Sequence, residues 1–419
     1  MPSDNKNYNV SFGDNEITLA VGQFGSPLWI YDFGVIEKRI WNLRHFGAVR
    51  YAQKAAPNIN LLSKMRSVGV DVDAVSAGEI VRALRAGFEP KHIRYTADIL
   101  DKDTLILIKE HSIPVNIGSP DMLFQLHEAD IKVPLAIRIN PGFGHGHSNK
   151  VNTGGELSKH GIWYSELPSI FKKAGELGFD VECLHIHIGS GSDYVHLSQV
   201  VSAMEHAVSA IGDARESLKI ISAGGGIPIS YKRDENWHID LDKYYNIWDS
   251  ARKRISESVK HYLQLEVEPG RYLVAESCVL ATEIRAVKKM GKNLFYLIDA
   301  GFSDLVRPSF YGAYHHISII PMNGKKNAEE VDAIIAGPLC ESGDVFTQEE
   351  GGVVVSRKLP LAQVGDLLVI HDAGAYGSAM SSNYNSRLLA PEILWEKGKF
   401  TQIRKRQTFE HLLENEMVE

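Results

Sequence analysis

Short runs of β-branched and aromatic residues recur along the first two thirds of the chain, and the stretches between them carry apolar residues at helical spacing. Val49–Ala55, Val72–Ser76, Ile93–Asp98, Pro114–Ser119 and Leu135–Asn140 read as five strands. Their starts lie roughly 20 residues apart, room for one helix and two short turns. Leu61, Leu62, Met65 and Val68 keep helical spacing in the first gap. Ile80, Ala83 and Leu84 share a face in the second, opened by a capping-box pattern of Ser76 and Glu79, and Leu105 with Ile108 serves the third. Three further strands, Glu182–Gly189, Lys219–Ala223 and Leu263–Glu268, follow at wider spacing, with helical stretches at Leu197–Ile211 and Leu241–Val259. Eight strand–helix units are the number that closes a (β/α)8 barrel. The predicted fold class is therefore α/β, a TIM-like barrel, with an open doubly wound sheet as the alternative.

After Arg271 the pattern changes. Val279–Val287, Leu294–Asp299, Ile317–Met322, Val331–Ala336, Gly352–Arg357 and Leu367–His371 read as strands with few helical stretches between them, and Ile17–Ala20 and Leu28–Tyr31 are strand-like as well. The expected organisation is a barrel over residues 33–275 and a second, mostly β domain from residues 1–32 plus 276–419. Arg404-Lys-Arg406 reads as a solvated helix end, and no low-complexity linker interrupts the chain.

A length of 419 residues favours two domains over one core. The net charge of -7 argues against a nucleic-acid partner, which needs concentrated Lys and Arg, but leaves room for a small anionic ligand. Three scattered cysteines, Cys183, Cys278 and Cys340, suggest neither a disulfide framework nor a zinc site. The polar, acidic start does not read as a signal peptide, and no apolar run approaches the roughly 20 residues of a membrane span. A cytoplasmic protein is expected.

Barrel enzymes work at the carboxyl ends of their strands. Reactive residues gather there: Lys54 after strand one, Asp73 and Ser76 in strand two, His187 in strand six, Gly224-Gly225-Gly226 after strand seven, and Glu268-Pro-Gly270-Arg271 after strand eight. Singly, each has a plain structural reading: a solvated lysine, a tight glycine turn, a buried histidine, a surface ion pair. Together they match what pyridoxal 5'-phosphate requires. A lysine holds the cofactor covalently, glycine N–H groups and an arginine cradle its phosphate, a carboxylate keeps its pyridine nitrogen protonated, and an imidazole stacks on the ring.

Tyr51-Ala-Gln-Lys54-Ala, His185-Ile-His187-Ile-Gly-Ser190, Gly224–Gly226, Glu268-Pro-Gly-Arg271 and Gly337-Pro-Leu-Cys340-Glu341-Ser-Gly-Asp344 occur in this order. The series resembles that of the fold-type III, alanine racemase-like decarboxylases. The likeness runs from Gly25-Ser-Pro-Leu-Trp-Ile-Tyr-Asp32 to the C-terminus, with further matches at Asn140-Pro-Gly, Ser158-Lys-His-Gly161, Arg307-Pro-Ser-Phe-Tyr311 and Gly374-Ala-Tyr376. It implies that Lys54 is the Schiff-base lysine, that His187 stacks on the ring, and that Ser190, Gly224, Gly225, Gly226, Gly270, Arg271 and Tyr376 surround the cofactor. Glu268 would pair with the pyridine nitrogen. Cys340 would donate the proton to Cα from the partner subunit of a homodimer with shared sites. Arg271, Arg307, Tyr311, Glu341 and Tyr376 would bind substrate.

Two of these residues bear on the substrate. An arginine can bond a distal carboxylate bidentately and a glutamate can take a distal ammonium, so Arg307 with Glu341 favours meso-2,6-diaminopimelate, converted to L-lysine. D-Lysine and D-ornithine lack that carboxylate and would leave Arg307 unmatched. A racemase of the same architecture is the nearer rival, yet it places an arginine at the pyridine nitrogen where this chain has Glu268. A metal-dependent barrel hydrolase could use His185 and His187, but it usually carries such a pair on strand one, where this chain has Lys54. His160 stands where many relatives have an aromatic residue, and Gly142-Phe-Gly-His-Gly-His-Ser148 reads equally as a cover over the site or a plain surface loop.

Overall fold

The computed structural model describes residues 9–144, 153–189, 194–232, 238–324 and 329–417. These divide into two compact units, one from residues 39–229 and 238–272, the other from residues 9–38, 230–232 and 273–417.

The chain enters the second of these units through β1 (Leu28–Asp32) and then builds the first from β2 (Ala48–Ala52), β3 (Asp71–Ala74), β4 (Ile93–Ala97), β5 (Val115–Ile117), β6 (Leu135–Asn140), β7 (Ile162–Trp163), β8 (Val181–Ile186), β9 (Ile220–Ser222) and β10 (Gln264–Val267). Eight of them pair in parallel around a ring, β2-β3-β4-β5-β6-β8-β9-β10, which the β10–β2 ladder closes. The predicted barrel is thus closed, not an open sheet. The two-residue β7 was not anticipated; it pairs with the end of β6.

Alternation along the strands explains why this ring forms. Side chains two apart share a face. Val72, Ile137, Ile139, Leu184, Ile186, Leu265 and Val267 are buried, and they alternate with the polar residues Asp71, Asp73, Arg138, Asn140, His185, Glu266 and Glu268. The polar set meets inside the ring. Glu266 bonds Arg94 at 2.6 Å and Arg50 at 3.3 Å, and Arg50 also reaches Asp71 at 3.1 Å. Between strands, Asn58, Ser76 and Asp101 each cap a helix by accepting a backbone N–H. Ser76 accepts from Glu79 N as the capping pattern predicts, but the Glu79 carboxylate returns to Val75 N, one residue earlier.

The other unit continues with β11 (Cys278–Met290), β12 (Asn293–Ile298), β13 (Ile317–Ile320), β14 (Glu330–Ala336), β15 (Gln348–Glu349), β16 (Val353–Val354), β17 (Arg357–Pro360), β18 (Leu367–Ile370), β19 (Glu392–Glu396) and β20 (Lys399–Arg404). β1 lies between β11 and β19, and the core under this sheet includes Ile30, Val279, Val369 and Ile393.

Three expectations fail here. Ile17–Ala20 belongs to an α-helix, Asp14–Phe24, capped at Gly13 N by Glu16 Oε2 at 2.9 Å; Ile17 and Ala20 are buried three residues apart, on one helical face. Gly352–Arg357 is not one strand, because β16 pairs with β15 whereas β17 pairs with β14. Arg404–Arg406 is not a helix end: Arg404 closes β20 and pairs with Glu392 at 3.2 Å, and Arg406 donates to the Pro27 carbonyl at 3.0 Å. The β19–β20 hairpin escaped notice although Lys397-Gly398, both at positive φ, is a two-residue hairpin turn. Among the described residues no helix is long and apolar enough to cross a membrane.

The Glu266 carboxylate is shared by two buried guanidinium groups, and removing one partner of such a pair costs roughly 3–5 kcal/mol. Glu266→Ala should therefore lower the calorimetric melting temperature markedly, and an unchanged melting curve would show that other groups hold Arg50 and Arg94.

Candidate active site

Lys54 stands at the carboxyl end of β2 on a single 3-10 turn, Gln53–Ala55. Its neighbours Gln53 and Ala55 are fully buried while Lys54 itself is exposed. Gln53 Nε2 donates to the carbonyls of Asp73 and Glu79, each at 3.2 Å, which ties the turn to β3 and the next helix. The lysine is thus an exposed amine on a pinned turn. Its charge reaches Asp73, Glu79 and His187.

Glu268 follows β10 and is buried. One of its oxygens accepts from Ser222 Oγ at 2.9 Å. His185 Nε2 stands 2.8 Å from the other, at ion-pair distance but off the angle of a hydrogen bond. Burial alone would raise the Glu268 carboxyl; His185, Arg94 and Arg50 outweigh it and hold the group well below the usual carboxylate range. Asp73 goes the other way. Burial, then the negative charge of Glu268, pushes it up to about 8, and its Oδ1 has no hydrogen-bond partner. Two buried carboxylates that repel each other cannot both ionise cheaply, and the opposite directions of their shifts favour the proton on Asp73.

His187 is held neutral: burial first, then the positive charges of Arg138 and Lys54, carry its imidazole well below the ordinary value. Its carbonyl accepts from Thr153 Oγ1 at 3.1 Å and Arg138 Nη2 at 3.3 Å. A neutral ring adds no charge against a protonated pyridine.

The three glycines fill a place with no room for side chains. A Cβ on Gly224, Gly225 or Gly226 would come within 2.3, 2.4 or 2.2 Å of the carbonyls of Ile186, Glu268 and Gly189 respectively. Gly224 and Gly226 also have positive φ. Beside them opens a pocket lined by His187, Gly189, Gly225, Gly226, Tyr194 and Trp248. Arg271 starts the short helix Arg271–Val274 directly after Glu268-Pro-Gly270. Ser190, and residues 145–148 of the Gly/His-rich run, lie outside the described residues.

The remaining candidates belong to the β unit. Arg307 opens the helix Arg307–Tyr311 and is buried; Tyr311 is half-buried. Cys340 and Glu341 are exposed on a loop that Asp344 staples by accepting from Phe302 N at 2.7 Å and Leu339 N at 2.8 Å. Ser309 Oγ donates to the Gly343 carbonyl at 2.8 Å, so the helix of Arg307 and the loop of Cys340 and Glu341 are joined. Tyr376 has φ 58° in a turn where a Cβ on Gly374 would strike the Val274 carbonyl.

Several groups that shape the site went unnoticed in the sequence: Gln53, Arg94, Arg138, His185 as the partner of Glu268, and the Asp98–His160 pair at 2.8 Å. Apart from His160, which lies in the loop before β7, their common signal was a polar residue inside an otherwise apolar strand, or immediately after one.

A lysine amine, an imidazole held neutral, a glycine cradle and a buried glutamate held ionised stand at the carboxyl end of one parallel barrel, the kinds of group that pyridoxal phosphate requires. The family described as "Pyridoxal-dependent decarboxylase, pyridoxal binding domain" matches residues 35–275. A diaminopimelate decarboxylase of Escherichia coli is 50% identical over 402 residues, covering 94% of this chain and 95% of its own. A crystal structure of a diaminopimelate decarboxylase superposes with a TM-score of 0.92 at 50% identity, covering 96% of each chain. That of the Helicobacter pylori enzyme complexed with L-lysine gives 0.83 at 30% identity, covering 95% of this chain and 98% of that one. The chain belongs to the fold-type III pyridoxal-dependent decarboxylases, in the diaminopimelate decarboxylase family.

Because the folded value of Asp73 lies above its unfolded value of 3.8, the folded state binds the extra proton. Its contribution to stability is full below about pH 4 and is lost as pH rises through about 8. In cofactor-free protein the melting temperature of Asp73→Asn should depend less on pH than that of the parent between about pH 5 and 8, the parent losing more at the alkaline end. Parallel curves would overturn the assignment of the proton to Asp73.

Proposed function

We propose that this chain decarboxylates meso-2,6-diaminopimelate to L-lysine and carbon dioxide with pyridoxal 5'-phosphate, the last step of lysine biosynthesis. It does so as a cytoplasmic homodimer whose copies share active sites. The observation that carries the reading is an exposed amine, Lys54, on a pinned turn at the barrel end where Glu268 is held ionised. The named relatives, similar over nearly the whole chain, support the substrate. Unpaired cysteines suit a reducing compartment.

The residues fit the cofactor by their own chemistry: a cradle that any Cβ would fill, and a carboxylate kept anionic by its neighbours. Bound there, pyridoxal phosphate supplies a sink for the electron pair released when the bond from Cα to the carboxylate breaks. Lys54 would hold it covalently through its amine, the position a substrate amine would take over. Glu268 would keep the pyridine nitrogen protonated, His187 would stack on the ring, and Gly224 to Gly226, Gly270, Arg271 and Tyr376, with Ser190 by resemblance, would hold the phosphate. Arg307 receives the distal carboxylate and Glu341 the distal ammonium, with Tyr311 beside them. Cys340 of the second copy delivers the proton to Cα, for which an exposed thiol is a strong enough acid.

Purified protein should release carbon dioxide from meso-diaminopimelate about a hundredfold faster than from L-lysine, D-lysine or D-ornithine, judged by kcat/KM. Comparable rates on L-lysine would overturn the substrate reading. Lys54→Ala should lose the visible absorbance of the bound cofactor and nearly all turnover. Mixing inactive Lys54→Ala and Cys340→Ala chains should restore up to about a quarter of the activity if sites are shared, and no recovery would refute sharing.

A further inference from the structure

Arg307 is held by a histidine that no part of the reading above uses. A guanidinium carries only donors. Arg307 Nη1 lies 2.8 Å from His315 Nε2, and both groups are buried. The imidazole must therefore accept through Nε2 and keep its hydrogen on Nδ1, which lies 2.9 Å from the His371 carbonyl oxygen. One tautomer, uncharged, satisfies both contacts.

That carbonyl is itself set by the sheet. β13 and β18 pair antiparallel with Ile317 opposite Ile370, and His371 N donates to the His316 carbonyl at 2.9 Å. His371 Nε2 meets Ser318 Oγ at 2.8 Å, and Arg357 donates to the carbonyl of His315. Tyr231 completes the seat: its ring meets His315 edge-on at 5.3 Å, and Arg307 Cζ lies 4.8 Å from its centroid. His315 thus links the guanidinium to the β13–β18 ladder.

We infer that His315 is a positioning residue for substrate recognition, fixing the orientation of the Arg307 guanidinium that the reading above assigns to the distal carboxylate. The choice of imidazole has a physical reason. An aspartate or glutamate in its place would orient the arginine equally well but would cancel its charge and compete with the incoming carboxylate. A neutral acceptor orients without neutralising. The inference rests on the proposal that Arg307 binds that carboxylate.

The test compares holoenzyme variants for KM and kcat with meso-diaminopimelate. His315→Phe keeps a ring against Tyr231 but offers no acceptor. His315→Asn places an amide near the His371 carbonyl but stops short of Arg307, and so serves if the Phe variant does not fold. His315→Gln places a carbonyl oxygen where Nε2 was. Phe and Asn should raise KM by about tenfold or more, as loss of a hydrogen bond to a charged group predicts, with kcat changed less than about threefold. The visible cofactor absorbance should be unchanged, and Gln should return KM to within about threefold of the parent. In an Arg307→Met background, which raises KM itself, His315→Phe should add nothing further. If Arg307→Met raises KM but the Phe and Asn variants do not, or if they lower kcat and cofactor absorbance together with no recovery in Gln, the positioning role is wrong and the Arg307 reading stands. If Arg307→Met leaves KM unchanged, the underlying substrate reading is wrong.

Discussion

A buried glutamate that stays ionised is the condition on which the barrel site depends. Glu268 lies in an interior where an isolated carboxylate would take up a proton, and in that state it could not stabilise a protonated pyridine. The inward face of the barrel prevents this. Glu266 gathers Arg50 and Arg94 below, His185 stands against Glu268 from β8, one strand beyond β9, and the raised Asp73 favours its protonated form. The polar interior is thus a graded stack, structural near the base and chemical at the carboxyl end, with strand alternation as its origin.

Lys54 gains its meaning from the same stack. It stands on a single turn whose flanking residues are fully buried and whose Gln53 is bonded to β3 and to the following helix. The amine keeps its freedom while its backbone has none. That combination suits the role proposed for Lys54, forming and surrendering a covalent bond in one place. The neutral His187 and the close-packed glycines fit the same proposal, since each keeps a charge or a side chain out of space that a flat, anionic cofactor would need there.

The β unit solves a different problem, which is to present charged and reactive side chains from loops without letting them wander. Asp344 binds two backbone N–H groups to hold the loop of Cys340 and Glu341, Ser309 links that loop to the helix of Arg307, and His315 ties Arg307 to the β13–β18 ladder. Asp344 and His315 are buried and Ser309 is half-buried, so the holding is done from beneath the surface.

The sequence by itself determined the eight strand–helix repeats, the change to β structure after Arg271, and the ordered motifs around Lys54, His187, Gly224–Gly226 and Glu268. These are local signals: period, spacing and residue type survive without knowledge of partners. Where local signals were ambiguous the reading failed, as at Ile17–Ala20, whose spacing of three marks a helix, and at Arg404–Arg406, whose bonds go to residues far back in the chain. Only the tertiary structure decided the protonation pattern. Whether Asp73 or Glu268 carries the proton depends on which strands lie side by side in the closed ring, and His315 acquires its acceptor role only once β13 and β18 pair beside Arg307. Such assignments are properties of neighbourhoods, which form when distant parts of the chain are brought within a few ångströms of one another.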